Sequence, residues 1–288
     1  MRFISFADQA GNGLGIVTAG GEWRGLRAGQ AGYPGDLVTL LQAGAAALAA
    51  AHARLRDAPV LDPAGVRLLP PLPHPAKIIC VGLNYADHAA ESRFAPPSYP
   101  TLFARFATSL IGHGAPLIRP HASEQFDYEG ELVAVIGAPG RHIAPARALD
   151  HVAGYSVFND GSVRDFQHRT PQWTMGKNFD GTGAFGPTFV TADELPAGAR
   201  GLRLQTRLNG AVVQNATTDD LLFDVATLVA TISAAITLDA GDVIVTGTPA
   251  GVGAARKPPL WMKHGDRCEV EVEGVGLLAN PVEDERPG

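Results

Sequence analysis

The chain of 288 residues has only two cysteines, no excess of basic residues and no long hydrophobic run. Cys80 and Cys268 lie far apart, so the sequence offers neither a disulfide framework nor a zinc-binding CxxC pair. Its 23 Lys and Arg residues are scattered and outnumbered by 29 Asp and Glu residues, which argues against nucleic acid as a partner. The sequence shows no bilayer-spanning stretch and no basic start followed by an apolar signal core. We therefore expect a cytoplasmic protein with no membrane partner.

Several common catalytic motifs are also absent. The sequence has no Gly-x-Ser-x-Gly motif and Cys80 has no evident activating base, which argues against a covalent serine or cysteine hydrolase. The letters GxGxxG occur from Gly181 to Gly186, but a lysine-containing loop precedes them and strand-like residues follow Pro187. A dinucleotide site needs a strand before this motif and a helix after it. We therefore interpret the motif as a turn.

Two helices are predicted from apolar spacing and capping residues. The first is an Ala/Leu-rich segment from Asp36 to Arg56, with Asp36 as its N-cap. The second runs from Asp219 to Ile236, with Thr217 or Thr218 as its cap and apolar residues at helical spacing. We assign both helices to core packing.

A Pro-rich stretch at 70–75 divides the chain, because it cannot continue a helix or fill a central strand. We place a domain boundary there, with a small N-terminal α+β domain over residues 1–70 and a larger domain over 71–288. Beyond the boundary, strand-like runs dominate. They are Lys77–Val81, Leu132–Ile136, Val152–Phe158, Thr188–Val190, Leu202–Leu208, Val243–Thr246 and Cys268–Val272. Because strands and helices do not alternate regularly, we expect an α+β, mostly β fold and not a doubly wound parallel sheet.

Three acids are candidate metal ligands. Glu129 and Glu131 are two residues apart, so on a strand both side chains point to the same face. The run that follows, 132–136, is apolar on both faces and predicts a strand inside a buried sheet. Two like charges at the rim of a core are costly, and a divalent cation held with Asp160 is the simplest compensation. The alternative is an exposed strand with two solvated acids.

His88 and Glu91 form a candidate acid–base pair. If residues 86–92 form a helical turn, positions three apart share one face. A carboxylate beside an imidazole orients the ring and raises its basicity. The alternative is a pair of solvated polar residues on a surface turn.

From residue 77 to about 282, an ordered series of motifs resembles the fumarylacetoacetate hydrolase family. These motifs are NYADHAAES, SLIG, DYEGEL, GYSVFNDGSVRD, QWTMGKNFD, FGP, DVIVTGTPAGVG and EVEVEGVGLLANPV. The closest likeness is to the branch that holds acylpyruvate hydrolases and 2-hydroxyhepta-2,4-diene-1,7-dioate isomerases. The resemblance implies a mixed β-sandwich roll, a homodimer, and Mg²⁺ or Mn²⁺ as cofactor, with Ca²⁺ as a possible substitute in a crystal. It also implies a small 2-oxo acid with a second carbonyl as substrate.

The resemblance implies a role for each matching residue. Metal ligands are Glu129, Glu131 and Asp160; catalytic residues are His88, Glu91 and Lys177; substrate-binding residues are Arg105, Gln167, Gln172 and Thr248. Lys177 would lie near the substrate carbonyl and stabilise oxyanion charge. Gly130 departs from the family pattern, in which a branched residue often separates the two glutamates, and is expected to loosen the strand.

The implied activity is metal-dependent cleavage of a carbon–carbon bond in an acylpyruvate-type 2-oxo acid. His88, oriented by Glu91, would take a proton from water while Lys177 supports the oxyanion. The same chemistry could serve an isomerase or decarboxylase of a 2-hydroxymuconate-type diacid in aromatic catabolism. A non-catalytic, metal-dependent dicarboxylate binder is the third possibility. The segment 91–99 is a candidate lid over the substrate.

Overall fold

The computed structural model describes residues 1–87 and 97–286, with a large mixed β-sheet at its centre. In chain order its strands are β1 (Arg2–Asp8), β2 (Gly11–Val17), β3 (Trp23–Arg27), β4 (Arg67–Leu68), β5 (Ile78–Gly82), β6 (Thr101–Ala104), β7 (Leu110–Ile111), β8 (Leu117–Arg119), β9 (Phe126–Asp127), β10 (Gly130–Ile136), β11 (Val152–Asp160), β12 (Ser162–Val163), β13 (Gly183–Thr191), β14 (Arg203–Leu208), β15 (Ala211–Thr217), β16 (Val243–Val245), β17 (Arg267–Val272) and β18 (Gly276–Asp284). Its α-helices are α1 (Leu37–Ala43), α2 (Ala45–Leu55), α3 (Arg164–Gln167), α4 (Thr174–Lys177) and α5 (Val225–Ala235). Short 3₁₀ turns lie at Pro63–Gly65, Ala107–Ser109, Pro145–His151, Ala192–Glu194, Ala197–Ala199, Thr218–Asp220 and Gly253–Ala255. The predicted α+β, mostly β class is confirmed.

The main sheet joins the N-terminal strands to the rest of the chain. Its order is β3-β2-β1-β13-β11-β10-β16-β5-β6, with β4 paired to β1 and β7 paired to β13. Strand β1 is antiparallel to β13, with Phe3 opposite Phe189. The N-terminal residues thus extend this sheet, and the domain division at residue 70 stays a prediction. The GxGxxG stretch, interpreted as a turn, is a turn only at Gly181, because residues 183–186 are the first residues of β13 and pair with β11.

A second sheet, of order β15-β14-β17-β18-β8, packs against one face of the main sheet. Strand β10 shows the result, because every one of its residues is buried. Leu132, Ala134 and Ile136 join a core shared with β14, β17, β18 and α5. Val133 and Val135 join a separate core shared with β1, α1 and α2. The predicted strand with two apolar faces is confirmed, and it lies in the middle layer of the fold.

Gly130 lets the two sheets approach each other closely. A Cβ atom at this position would lie 2.1 Å from Thr206 Oγ1 and 2.9 Å from Val270 Cγ1, both on the second sheet. Any larger residue would collide with these strands. The glycine thus allows tight packing beside the two glutamates, and the expected loosening of the strand stays a prediction.

The first predicted helix is broken into α1 and α2 at Gly44. Asp36 is the N-cap, as predicted, and its carboxylate accepts a hydrogen bond of 2.8 Å from the Thr39 N–H. Gly44 has φ 90°, which ends α1 and redirects the chain. Glycine adopts this left-handed conformation at little cost, whereas the alanines around it do not.

The second predicted helix begins later than expected, at Val225, with Asp224 as its N-cap. Thr217 instead caps the 3₁₀ turn at 218–220. The segment between them pairs with another part of the chain, because the Leu222 N–H donates to Asn84 O at 2.8 Å. Tertiary hydrogen bonds thus override helical spacing at this point. No α-helix in the described part of the chain has the length and apolar character needed to cross a bilayer.

Candidate metal centre and active site

Three acids converge where neighbouring strands of the main sheet end. Glu131 is the second residue of β10, Glu129 directly precedes that strand, and Asp160 is the last residue of β11. The two strands are antiparallel, with Gly130 opposite Asn159, so their ends bring the acids together. One carboxylate oxygen from each acid lies within 4.8 Å of the other two, and all three side chains are buried. This geometry matches the cluster predicted from the sequence.

Lys177, at the end of α4, contacts two of these acids. Its Nζ lies 2.6 Å from Glu129 Oε2 and 2.7 Å from Asp160 Oδ2. The side chain is only 1% exposed. Burial alone would lower the pKa of Lys177, but the charges of Asp160 and Glu129 outweigh burial and raise it above its ordinary value. Lys177 therefore places a buried amino group between Glu129 and Asp160.

Arg105 holds Asp160 from the opposite side. Its Nη1 forms a short ion pair with Asp160 Oδ1 and donates to Gly161 O at 3.1 Å. Its Nη2 donates to Thr182 Oγ1 at 2.8 Å, and its Nε donates to Ser109 Oγ at 3.2 Å. The whole guanidinium is thus engaged with protein groups. Its predicted role in substrate binding stays a prediction, while the structure shows it as a partner of Asp160.

Arg164, in α3, was not among the residues singled out from the sequence. Its Nη2 lies 2.6 Å from Glu129 Oε1 and 2.8 Å from Asp127 Oδ2. Asp127 in turn accepts hydrogen bonds from the backbone N–H groups of Gly253 at 2.7 Å and Ala254 at 2.9 Å. Arg164 and Asp127 thus connect the acid cluster to the loop after β16. Both residues stand inside quoted motifs, but the motifs alone give no sign that they contact each other.

The buried charges around the cluster do not balance. Within the described residues, four buried acids, Asp127, Glu129, Glu131 and Asp160, face three buried cations, Arg105, Arg164 and Lys177.

Glu131 is the carboxylate without a cation. It accepts a hydrogen bond from the Gly247 N–H and takes part in no ion pair with any residue of 1–87 or 97–286. Burial, followed by the charges of Asp160 and Glu129, raises its pKa well above the ordinary value. Three convergent carboxylates with excess negative charge suit a hard divalent cation such as Mg²⁺ or Mn²⁺.

Thr248 lies beside the cluster in the turn after β16. Its hydroxyl donates to Gly130 O at 3.0 Å and accepts from Gln214 Nε2 at 2.8 Å. Gln214 Oε1 also accepts from the Gly130 N–H at 3.0 Å. These bonds tie the turn to the backbone between the two glutamates. Substrate binding by Thr248 stays a prediction.

The two predicted glutamines differ in position. Gln167 is buried, and its Oε1 accepts from Arg164 Nη1 at 2.9 Å, which places it next to the cluster. Gln172 is exposed on a turn where its backbone N–H donates to Thr170 Oγ1 at 3.2 Å. The structure therefore brings Gln167, but not the Gln172 side chain, into contact with the buried network. A role for either in substrate binding stays a prediction.

His88 and Glu91 lie outside the described residues, as does most of the candidate lid at 91–99. The chain directly before them is well anchored. Asn84 Nδ2 donates to Thr246 O at 2.7 Å and to Phe223 O at 3.0 Å. The approach to the predicted acid–base pair is thus attached to the turn that also contacts Glu131.

Comparison with known proteins agrees with this fold. The family model described as fumarylacetoacetate (FAA) hydrolase C-terminal matches residues 77–283. The mitochondrial oxaloacetate tautomerase FAHD2A of Homo sapiens is 39% identical over 277 residues, covering 95% of this chain and 86% of the relative.

Two solved structures each match over 99% of this chain and over 100% of their own chain. The fumarylacetoacetate hydrolase of Exiguobacterium antarcticum has a TM-score of 0.86 at 38% identity. The maleylpyruvate hydrolase of Sphingobium sp. SYK-6, solved with manganese(II) and pyruvate, has a TM-score of 0.81 at 30% identity. The chain therefore belongs to the fumarylacetoacetate hydrolase family and has its fold.

Proposed function

We propose that this protein is a divalent-metal-dependent enzyme that interconverts the keto and enol forms of a small 2-oxo diacid, with oxaloacetate as the first candidate. The observation that carries the proposal is the buried cluster of Glu129, Glu131 and Asp160, which together with Asp127 outnumbers the three buried cations around it within the described residues. A mitochondrial oxaloacetate tautomerase that is 39% identical over 95% of this chain supports the choice of substrate.

We propose Glu129, Glu131 and Asp160 as the ligands of Mg²⁺ or Mn²⁺. Such a cation would bind the oxo-acid end of the substrate and stabilise the negative charge of its enol form. The site excludes bulk water, since the three ligands are nearly fully buried, and charge stabilisation is stronger in such surroundings.

The chain's own groups have separate tasks in this proposal. Arg105 and Arg164 hold the carboxylates of Asp160 and Glu129 in place, since each forms an ion pair with one of them. Lys177 supplies a buried positive charge for the developing oxyanion. His88 moves the proton between carbon and solvent, with Glu91 orienting its ring. Conversion of keto to enol needs one proton to leave the carbon next to the oxo group and one proton to join the oxo oxygen, and the reverse reaction returns a proton to carbon as the enol oxygen loses one.

Hydrolysis of a carbon–carbon bond in an acylpyruvate is the second candidate. The maleylpyruvate hydrolase structure, which contains manganese(II) and pyruvate, supports it at 30% identity over nearly the whole chain. The same His88 would then activate water instead of shuttling a carbon-bound proton. Isomerisation or decarboxylation of a muconate-type diacid and non-catalytic dicarboxylate binding stay open as further predictions.

One experiment separates these functions. The loss of enol absorbance is followed for oxaloacetate and for a panel of acylpyruvates, with Mn²⁺ or with EDTA, for the wild type and H88A. Metal-dependent enol loss without pyruvate or CO₂ release identifies a tautomerase, whereas release of pyruvate with a second acid identifies a hydrolase. Release of CO₂ identifies a decarboxylase. Binding of oxo acid without turnover would leave the isomerase or decarboxylase of a muconate-type diacid and the non-catalytic binder.

We also propose that the chain forms a homodimer, as the family resemblance implies. Light scattering on the purified chain would give its mass directly. A monomer mass of 30.1 kDa at micromolar concentration would refute the dimer.

A further inference from the structure

Tyr85 carries a buried hydroxyl without a partner. The side chain is 0% exposed, and within residues 1–87 and 97–286 its Oη forms no hydrogen bond. Most buried polar groups in proteins are paired, because an unpaired one loses its bonds to water and gains nothing in return. Such a group in a native fold calls for an explanation, and one explanation is a ligand that supplies the missing acceptor.

The backbone holds Tyr85 beside the acid cluster. Residue 85 forms a β-bridge with Leu221, and its neighbour Asn84 donates to Thr246 O at 2.7 Å. Asn84 also packs against Gly247, where an added Cβ would lie 2.7 Å from Asn84 Cβ. The N–H of Gly247 donates to Glu131. Tyr85 therefore follows a residue that packs against the turn at Gly247, and this turn contacts Glu131, one of the candidate metal ligands.

The charges near Tyr85 keep its hydroxyl protonated. Burial raises its pKa far above the ordinary value, and Glu131 is the charged group that adds most to this effect, followed by Asp220 and Asp87. The phenol thus lies within electrostatic range of Glu131 yet makes no hydrogen bond to it. It is a donor whose proton no described group accepts.

We propose that the Tyr85 hydroxyl donates a hydrogen bond to an anionic oxygen of the 2-oxo acid bound at the Glu129, Glu131 and Asp160 cluster. The inference rests on the proposed function, because it requires that the cluster binds such an acid. It assigns Tyr85 to ligand recognition. It also explains why a tyrosine, and not a phenylalanine, fills this buried position.

The test is Y85F, which removes one oxygen and changes little else. Oxalate serves as the probe because it resembles the carboxylate and oxo groups of the proposed substrates, and its Kd is measured by calorimetry with saturating Mn²⁺. We expect the Kd of oxalate to rise by about tenfold or more, since a hydrogen bond to a charged acceptor is lost. The Kd of Mn²⁺ alone should change by less than about twofold. The thermal midpoint of metal-free Y85F should equal or exceed that of the wild type, because no protein hydrogen bond is removed.

Y128F is the matched control. The Tyr128 hydroxyl donates to Gly251 O at 3.1 Å and accepts from Arg256 Nε at 3.1 Å. Its removal should therefore lower the thermal midpoint, in contrast to Y85F. An unchanged oxalate Kd in Y85F, a lowered midpoint in Y85F, or a failure of the wild type to bind oxalate with Mn²⁺ would each overturn the role of Tyr85. Absence of turnover with oxaloacetate and the acylpyruvates, together with oxalate binding that depends on Tyr85, would overturn only the proposed reaction.

Discussion

Lys177 places its ammonium group 2.6 Å from a carboxylate oxygen of Glu129, deep inside the protein. The same lysine lies 2.7 Å from Asp160, so it contacts two of the three acids proposed to hold a metal ion. A lysine and a divalent cation would therefore attract the same oxygens. We therefore expect metal binding and the position of Lys177 to be coupled through these two acids.

Replacing Lys177 by methionine tests this coupling. We expect the metal-free variant to lose about 3–5 kcal/mol in its free energy of unfolding, because Glu129 and Asp160 lose a buried partner. We also expect Mn²⁺ to raise the melting temperature of K177M by more than that of the wild type, since the competing cation is gone. Differential scanning calorimetry with Mn²⁺ and with EDTA measures both effects.

K77M is the control for this prediction. Lys77 also forms two ion pairs, with Asp239 at 2.7 Å and Asp242 at 2.8 Å. These groups do not belong to the acid cluster, so the Mn²⁺ shift of K77M should equal that of the wild type. An equal or smaller Mn²⁺ shift in K177M would contradict the coupling.

Replacing Glu131 by glutamine removes a buried carboxylate that forms no ion pair with any described residue. In EDTA we expect the free energy of unfolding to rise by about 1–3 kcal/mol, because an unfavourable charge disappears from the interior. Mn²⁺ should no longer stabilise the variant, since one carboxylate ligand is lost. Urea unfolding with and without Mn²⁺ measures both quantities. E124Q, at an exposed position, should change neither, and a less stable metal-free E131Q would show that the charge is already compensated.

Gly130 should tolerate no side chain. In G130A the new methyl group would meet Thr206 Oγ1 at 2.1 Å before relaxation. We expect a loss of about 1–3 kcal/mol in stability from the resulting displacement of the strands, together with weaker Mn²⁺ binding because the two glutamates flank this residue. G20A is the control, since the nearest atom to its added Cβ would be at 3.9 Å.

A double variant checks the cause of the G130A effect. Adding T206A to G130A removes the atom that the new methyl group meets, so part of the lost stability should return. Strictly additive losses in the double variant would rule out the predicted collision.

His113 should make stability depend on pH. Burial, aided by the charge of Arg267, lowers its pKa below the ordinary value of 6.5, and its Nδ1 accepts a hydrogen bond of 3.1 Å from the Ala279 N–H. Protonation of His113 is therefore less favourable in the folded protein than in the unfolded chain. It follows that the His113 contribution to stability is present above pH 6.5 and is lost as the pH falls below that value.

The measurement compares the wild type with H113N, in which an amide oxygen can replace the acceptor. The free energy of unfolding is measured in EDTA at neutral and mildly acidic pH. As the pH falls, the wild-type value should decrease relative to the H113N value. A difference that stays constant across this range would show that His113 does not titrate differently on folding.

Local patterns predicted much of this molecule. The apolar run at 132–136 predicted a strand buried on both faces, and the spacing of Glu129 and Glu131 predicted that their side chains share one face. Both predictions depend on side chains that alternate along a strand, a property that holds regardless of the rest of the fold. The seven strand-like runs all fall within or largely overlap strands of the structure.

Features that depend on distant residues were not predictable in the same way. Arg164 and Asp127 are 37 positions apart, and no local pattern indicates that they form an ion pair. The start of α5 was misplaced because the Phe223 N–H bonds to Asn84 Oδ1, 139 positions away. The break at Gly44 is a different case, because a glycine inside an alanine-rich helix is a local signal that was not used.

The pairing of β1 with β13 bears on how the chain can be shortened. The family model begins at residue 77, which invites the production of a minimal catalytic fragment from that point. Such a fragment would leave β13 without the partner that Phe3 and its neighbours provide along part of its length, and it would uncover the apolar surface formed by Val133 and Val135. Unpaired backbone next to exposed apolar residues promotes association between copies. We expect the fragment to aggregate, because the unit recognised by sequence is smaller than the unit that folds.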